Sequence, residues 1–150
     1  MHLLRAEKGF IIAGQDTDGT ITPVDLQMDW IISKKKYDFI GKRSLYRSDT
    51  IREDRKQLVG LLTDDPNEVL EEGAQIVAET DKKPVEMLGH VTSSYFSNKL
   101  ECPIALALIH AGRARLGDEV LVYMADRSPI KAIIVDPVFF DPNGERQNVE

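Results

Sequence analysis

The chain has 150 residues, 42% of them hydrophobic and 29% charged, with a net charge of −6. That apolar content supports one folded domain, or one domain with an attached segment, and excludes a disordered tract. The acidic balance excludes a nucleic-acid binder built on a clustered basic surface, and no apolar run reaches the roughly 18 to 20 residues that a membrane-spanning helix needs.

Residues 3–8 read as a short helix stopped by Gly9, a residue that readily takes the left-handed backbone conformation. Such a piece is too short to be stable alone and reads as the last turns of a longer helix. Arg5 and Glu7 bring charge too early for a secretory signal. The apolar residues 10–13 lead into a turn-rich stretch, Gly14-Gln15-Asp16-Thr17-Asp18-Gly19, and Trp30-Ile31-Ile32 precedes the basic triplet Lys34-Lys35-Lys36. A helix is expected over 41–46, with Phe39 and Ile40 packing at its entry, followed by a solvated link containing Asp49, Arg52, Glu53, Asp54 and Arg55.

From Lys56 onward the pattern changes to short apolar runs separated by turn residues, which predicts strands at 57–62, 73–78, 85–93, 104–109, 119–123 and 130–135. Gly89 marks an expected bend or bulge, and Pro137 ends the last strand because proline cannot continue a ladder. The fold class is mainly β (α+β): an antiparallel barrel or sandwich of six strands, preceded by a short, partly helical segment. Closure into a barrel removes the edges that so apolar a set of strands would otherwise expose. The chain accordingly divides into residues 1–54 and a barrel domain, residues 55–150.

The candidate chemistry is sparse. Glu7 beside Arg5 is a pair in which the carboxylate can accept two N–H groups of an aminopyrimidine and the guanidinium can hold an anionic tail; equally, such residues near a helix end are often surface groups. Asp16 and Asp18 resemble part of a calcium loop, but Gln27 stands where the twelfth-position glutamate would be, and aspartates in turns commonly cap backbone N–H groups. Lys34, Lys35, Lys36, Lys42 and Arg43 form a basic patch that either steers a polyanion such as a polyglutamylated folate or is a solvated face. The hydroxyl-rich run from Val91 to Ser97 lacks a nucleophile elbow, and no acid–histidine–serine order can be built around His90, so a strand end and its turn are expected there. Cys102 reads as a small core residue. One cysteine and three scattered histidines give neither a disulfide framework nor metal-ligand spacing, and the single thiol suits the cytoplasm. There is no dinucleotide fingerprint, phosphate loop or flavin glycine motif.

Several segments in order carry a family resemblance. Leu4-Arg5-Ala6-Glu7-Lys8-Gly9-Phe10 with Gly14-Gln15-Asp16-Thr17-Asp18, then Thr20-Ile21-Thr22-Pro23, Phe39-Ile40-Gly41-Lys42-Arg43-Ser44-Leu45, Arg55-Lys56-Gln57-Leu58-Val59-Gly60-Leu61, Gly89-His90-Val91-Thr92-Ser93-Ser94 and Ile104-Ala105-Leu106-Ala107 span residues 4–107. With the ending Pro137-Val138-Phe139-Phe140-Asp141-Pro142, they resemble the C-terminal part of the tetrahydrofolate-binding region of sarcosine oxidase alpha subunits, relatives of the glycine-cleavage T-protein. The resemblance implies a ring of three domains around tetrahydrofolate, which captures the one-carbon unit released when sarcosine is oxidatively demethylated to glycine by a flavin held elsewhere. It maps a folate-lining role onto Arg5 and, less directly, Glu7, and places no flavin or NAD site and no catalytic residue in this chain. Residues 1–54 would be a remnant of the folate-binding domain and its linker. The chain is expected to start at an internal methionine of the family pattern, leaving two of three cavity walls elsewhere; alone it should then be inactive, bind folate weakly or not at all, and expose apolar surface that invites self-association. Expected partners are other sarcosine oxidase subunits or the upstream domains, with no nucleic acid and no membrane, in the cytoplasm. The other readings are a non-catalytic barrel that only packs against partners, and a fragment of a glycine-cleavage aminomethyltransferase.

Overall fold

In a computed structural model, which describes residues 1–78, 83–125 and 128–148, one helix, α1 (His2–Glu7), precedes six strands. These are β1 (Lys56–Thr63), β2 (Gln75–Ala78), β3 (Met87–Ser97), β4 (Cys102–His110), β5 (Glu119–Tyr123) and β6 (Ile130–Val135). Every pairing between neighbours is antiparallel, and the order β1-β4-β3-β2-β5-β6 closes into a barrel through β6 and β1. The expected six-stranded antiparallel barrel is therefore the fold.

The alternation of side chains along each strand decides which face of the sheet becomes the interior. Val59 and Leu61, Ile76, Val91, Ala105, Ala107 and Ile109, Val120 and Val122, and Ala132 and Ile134 point inward and form one buried cluster. β4 is apolar at nearly every position because it is covered on both sides. Its outward residues Ile104, Leu106 and Leu108 join Leu58, Ala6 and Leu26 in a second cluster, beneath the N-terminal segment. A strand buried on both faces reads as a continuous hydrophobic run, which is how residues 104–109 read.

β5 and β6 have the limits expected from sequence, while β3 does not: it continues four residues beyond Ser93. The hydroxyl-rich run is thus strand, not a strand end and turn, because Ser94 to Ser97 stay paired with β4 down to Cys102 and the hydroxyls of Tyr95 and Ser97 find partners described below. Gly89 lies beside a register shift against β2, where Leu88 is the extra residue. It is also a point of close approach: a Cβ there would lie 1.9 Å from the carbonyl oxygen of Leu108.

Residues 1–54 lie across the outer face of β1, β3 and β4. α1 packs its buried Ala6 there, and Gly9, at φ 68°, turns the chain against Pro137. The carbonyl of Glu7 accepts hydrogen bonds from the N–H groups of both Phe139 and Phe140, at 3.0 and 2.9 Å. The buried carboxylate of Asp25 takes Arg55 at 2.8 Å together with the N–H and hydroxyl of Thr22. The helix expected over 41–46 is a 3-10 turn, Lys42–Tyr46, preceded by a second at Asp29–Ile31. Ile40 does not pack at its entry: the left-handed backbone of Gly41 turns the chain so that Ile40 is wholly exposed.

Candidate functional site

The polar centre of the molecule lies where the N-terminal segment meets β3. Asp16 is fully buried and accepts four hydrogen bonds: from the backbone N–H of Ile12 (2.8 Å), the hydroxyl of Ser93 (2.7 Å), the hydroxyl of Thr92 and the guanidinium of Arg5. A buried carboxylate is tolerated when its oxygens are saturated by donors and a countercharge, and here both conditions hold. Turn capping, expected of Asp16 from sequence, covers only the Ile12 contact; the remaining three partners come from outside its turn. Asp18, by contrast, only caps. Thr20 donates to it from its hydroxyl and its backbone N–H, and these bonds hold its carboxyl below the usual 3.8.

Arg5 is the other half of this cluster. One terminal nitrogen reaches Asp16 and the carbonyl of Phe10; the other reaches the Ser93 hydroxyl at 2.6 Å and the Tyr95 hydroxyl at 3.2 Å, with the ring of Tyr95 centred 5.7 Å away. Its Nε is buried without a partner. Gln15 completes the network, donating to the Thr92 carbonyl and to Ser93 Oγ. Ser93 thus gives its one proton to Asp16 and accepts from Arg5 and Gln15, which leaves it structural rather than nucleophilic. Two residues further along α1, the buried carboxylate of Glu7 accepts the Ser97 hydroxyl at 2.6 Å. The alternation of β3 places Ser93, Tyr95 and Ser97 on one outward face, where the first two meet Arg5 and the third meets Glu7.

Both sequence-derived candidates, Arg5 and Glu7, therefore sit on the same helix, turned toward the barrel. Beside them, on the far side of Gly9, opens a pocket of about 320 Å³ lined by Phe10, Met28, Trp30, Pro137 and Val138. Trp30 and Phe10 stand out from it, 75% and 66% exposed. Sequence reasoning treated Trp30 only as part of an apolar run; its placement depends on the 3-10 turn and on the tail after β6, neither of which leaves a local pattern. The basic residues gather elsewhere, with Lys34, Lys36 and Lys42 around a separate pocket. Cys102 is partly buried against the second cluster, as a small core residue would be.

Comparison with known proteins fixes the family. The model of the glycine cleavage T-protein C-terminal barrel domain matches residues 56–141. The chain belongs to this family. A T-protein-type barrel is thus joined here to an N-terminal segment that its relatives share. The chain is 50% identical to the sarcosine oxidase subunit alpha of Corynebacterium sp. (strain P-1) over 151 aligned positions, 99% of this chain and 15% of that protein. It is 39% identical to the sarcosine oxidase subunit alpha of Rhizobium meliloti (strain 1021), again over 99% of this chain and 15% of that one. With the aminomethyltransferase of Caldanaerobacter subterraneus subsp. tengcongensis the identity is 33% over 93% of this chain and 35% of the relative. The fold superimposes on the crystal structure of glycine cleavage system aminomethyltransferase T from Bartonella henselae with a TM-score of 0.76, covering 92% of this chain and 37% of that one at 23% identity. The resemblance to sarcosine oxidase alpha subunits thus extends across nearly the whole chain, while the chain spans about one-seventh of the length of those relatives.

Proposed function

We propose that this chain forms the C-terminal part of the folate-binding region of a sarcosine oxidase alpha-type subunit, supplying one wall of a tetrahydrofolate site and contributing there to capture of the one-carbon unit from sarcosine. Residues 1–54 are, in this reading, the remnant of the folate-binding domain and its linker, and residues 55–150 the barrel domain. The observation that carries it is the pairing of a rigid support with an open lining. Arg5 and Glu7 are fixed against β3, while Phe10 and Trp30 beside them face outward over an apolar pocket.

The residues present suit a supporting role toward folate more than a direct grip. Four N–H bonds from Arg5 and the carboxylate of Glu7 are engaged within the chain. They stand behind the pocket without lining it, holding Phe10 and the turn after Gly9 in place, and the aromatic faces of Phe10 and Trp30 offer stacking surface to a flat ring. Bound tetrahydrofolate supplies the nucleophilic amines that accept a formaldehyde-level carbon. The chain's own contribution is to orient that ring and exclude water on one side. A pocket open on most sides gives little affinity. In this reading the chain is inactive alone and acts in the cytoplasm only as part of a larger assembly, with the upstream alpha-subunit domains or other oxidase subunits as partners.

Isothermal titration with a reduced folate tests this. The chain alone should bind more weakly than about 100 μM, and joining it to the upstream part of such a subunit should restore binding that Arg5→Met weakens. Micromolar binding by the isolated chain would overturn the incomplete-wall account, and an unaltered affinity in the assembled Arg5→Met variant would remove Arg5 from the site.

A further inference from the structure

Residues 31–47 carry a second surface that the folate reading does not use. Two adjoining pockets of about 350 and 390 Å³ share Ile32, Ser33, Lys36, Phe39 and Leu45 as lining, so they form one continuous groove. Ile31, Ile40 and Tyr46, which line it, are 49%, 104% and 70% exposed, and Tyr37, beside the lining residue Lys42, is 96% exposed. Side chains of this size grouped on one surface mark an interaction site.

The charge pattern says what kind. Residues 33–47 hold six cations, Lys34, Lys35, Lys36, Lys42, Arg43 and Arg47, against one carboxylate, Asp38, in a chain whose net charge is −6. Among the described residues, Arg5, Lys8, Arg52, Arg55, Arg115 and Lys131 each have a carboxylate partner, and none of those six cations does. Lys42 folds back on the carbonyl and ring of Tyr37, and the others project freely. We propose that this groove docks an acidic protein segment carrying apolar anchors, its side chains entering between Phe39, Ile40 and Leu45 and its carboxylates meeting the lysine rim. A second copy is a poor occupant, because a two-fold contact through this patch would set six cations against six. A nucleic acid meets the long-range repulsion of an acidic chain.

Fluorescence anisotropy of the full chain with a labelled amphipathic peptide, glutamates along its length and leucine and phenylalanine on one face, tests the proposal. Saturable binding at low salt is expected. It should weaken about 10-fold or more in the Lys34→Glu/Lys36→Glu variant and by a similar factor in Ile40→Ser; both change exposed side chains, and an unchanged circular-dichroism melt shows that the fold is kept. Absence of binding overturns the proposal, as does equal binding of a control peptide with serine in place of its apolar residues. So does tighter binding of a single-stranded oligonucleotide, or sedimentation showing a dimer that Ile40→Ser abolishes. A failed folate titration leaves the proposal intact, since no residue of the groove hydrogen-bonds to the Arg5–Asp16 cluster.

Discussion

The barrel strands and the 54 residues before them solve opposite problems. Between Lys56 and Val135 the chain hides most of its apolar side chains in and around a closed sheet, and among the described residues no strand is left without a neighbour on either side. Before Arg55 there is little regular structure, one six-residue helix and two 3-10 turns. Among the described residues, ten of the seventeen large exposed hydrophobic side chains belong to this first third. The barrel is held by burial, which is distributed and tolerant of single losses. The N-terminal segment is held by the apolar cluster around Ala6 and Leu26 and by a few buried polar contacts, Asp16–Ser93, Glu7–Ser97 and Asp25–Arg55, each specific in geometry. One molecule thus contains a closed core and a strap that covers the outward face of β4.

Breaking the strap alone should have the largest effect. Asp16→Ala leaves the Arg5 guanidinium nearly buried without its countercharge, which costs about 3–5 kcal/mol. Hydrogen exchange should then show amides of residues 2–28 losing protection while those of β4 and β6 keep theirs; retained protection of the strap would mean that the apolar cluster around Ala6 and Leu26 holds it alone. A smaller loss should come from Gly89→Ala, about 1–3 kcal/mol, because the new methyl meets the β4 backbone. Here denaturant unfolding should report both regions melting together, since the strap has nothing to lie on once β3 and β4 part. Ile76→Val, deep in the barrel, should cost only about 0.5–1.5 kcal/mol, again in a single transition.

Acid separates the two regions more gently. Burial, with repulsion from Lys56, holds the imidazole of His90 below its usual 6.5, against an opposing pull from Asp18. The unfolded chain therefore takes up that proton first, and stability contributed at β3 is full above about 6.5 and declines as pH falls below it. Asp25 behaves likewise at a lower pH: burial pushes its carboxyl up, but the bonds from Arg55 and Thr22 together outweigh that and hold it below the usual 3.8. Its clasp on the strap is kept above that value and lost as pH falls through the depressed one. Thermal melts from about pH 7.5 to 5 should drift downward in the wild type and lose that drift in His90→Gln. Strap release should wait for pH below 3.8.

The same division governs what the sequence made readable. β5 and β6 were legible to the residue because alternation and flanking turns are local properties, and residues 104–109 read as a strand, while the cover on both its faces is set by tertiary contacts. The end of β3 was missed because its serines look like loop until their partners are known, and Asp16 and Glu7 lie 77 and 90 residues away in sequence. For the candidate site, family resemblance singles out Arg5 and Glu7 as candidates, whereas the fourfold saturation of Asp16 and the outward stance of Trp30 depend on tertiary contacts alone. Ile40 was expected to pack and does not, since local apolarity cannot tell a core residue from an interface residue.

The two hydrogen bonds that the Glu7 carbonyl receives from Phe139 and Phe140 act as a buckle between the start and the end of the chain. Tension applied near either end loads this buckle before it reaches the rungs of β1 or β6. Displacement of the first helix would also be felt at once by the tail beyond the last strand, which makes the two ends a single moving part.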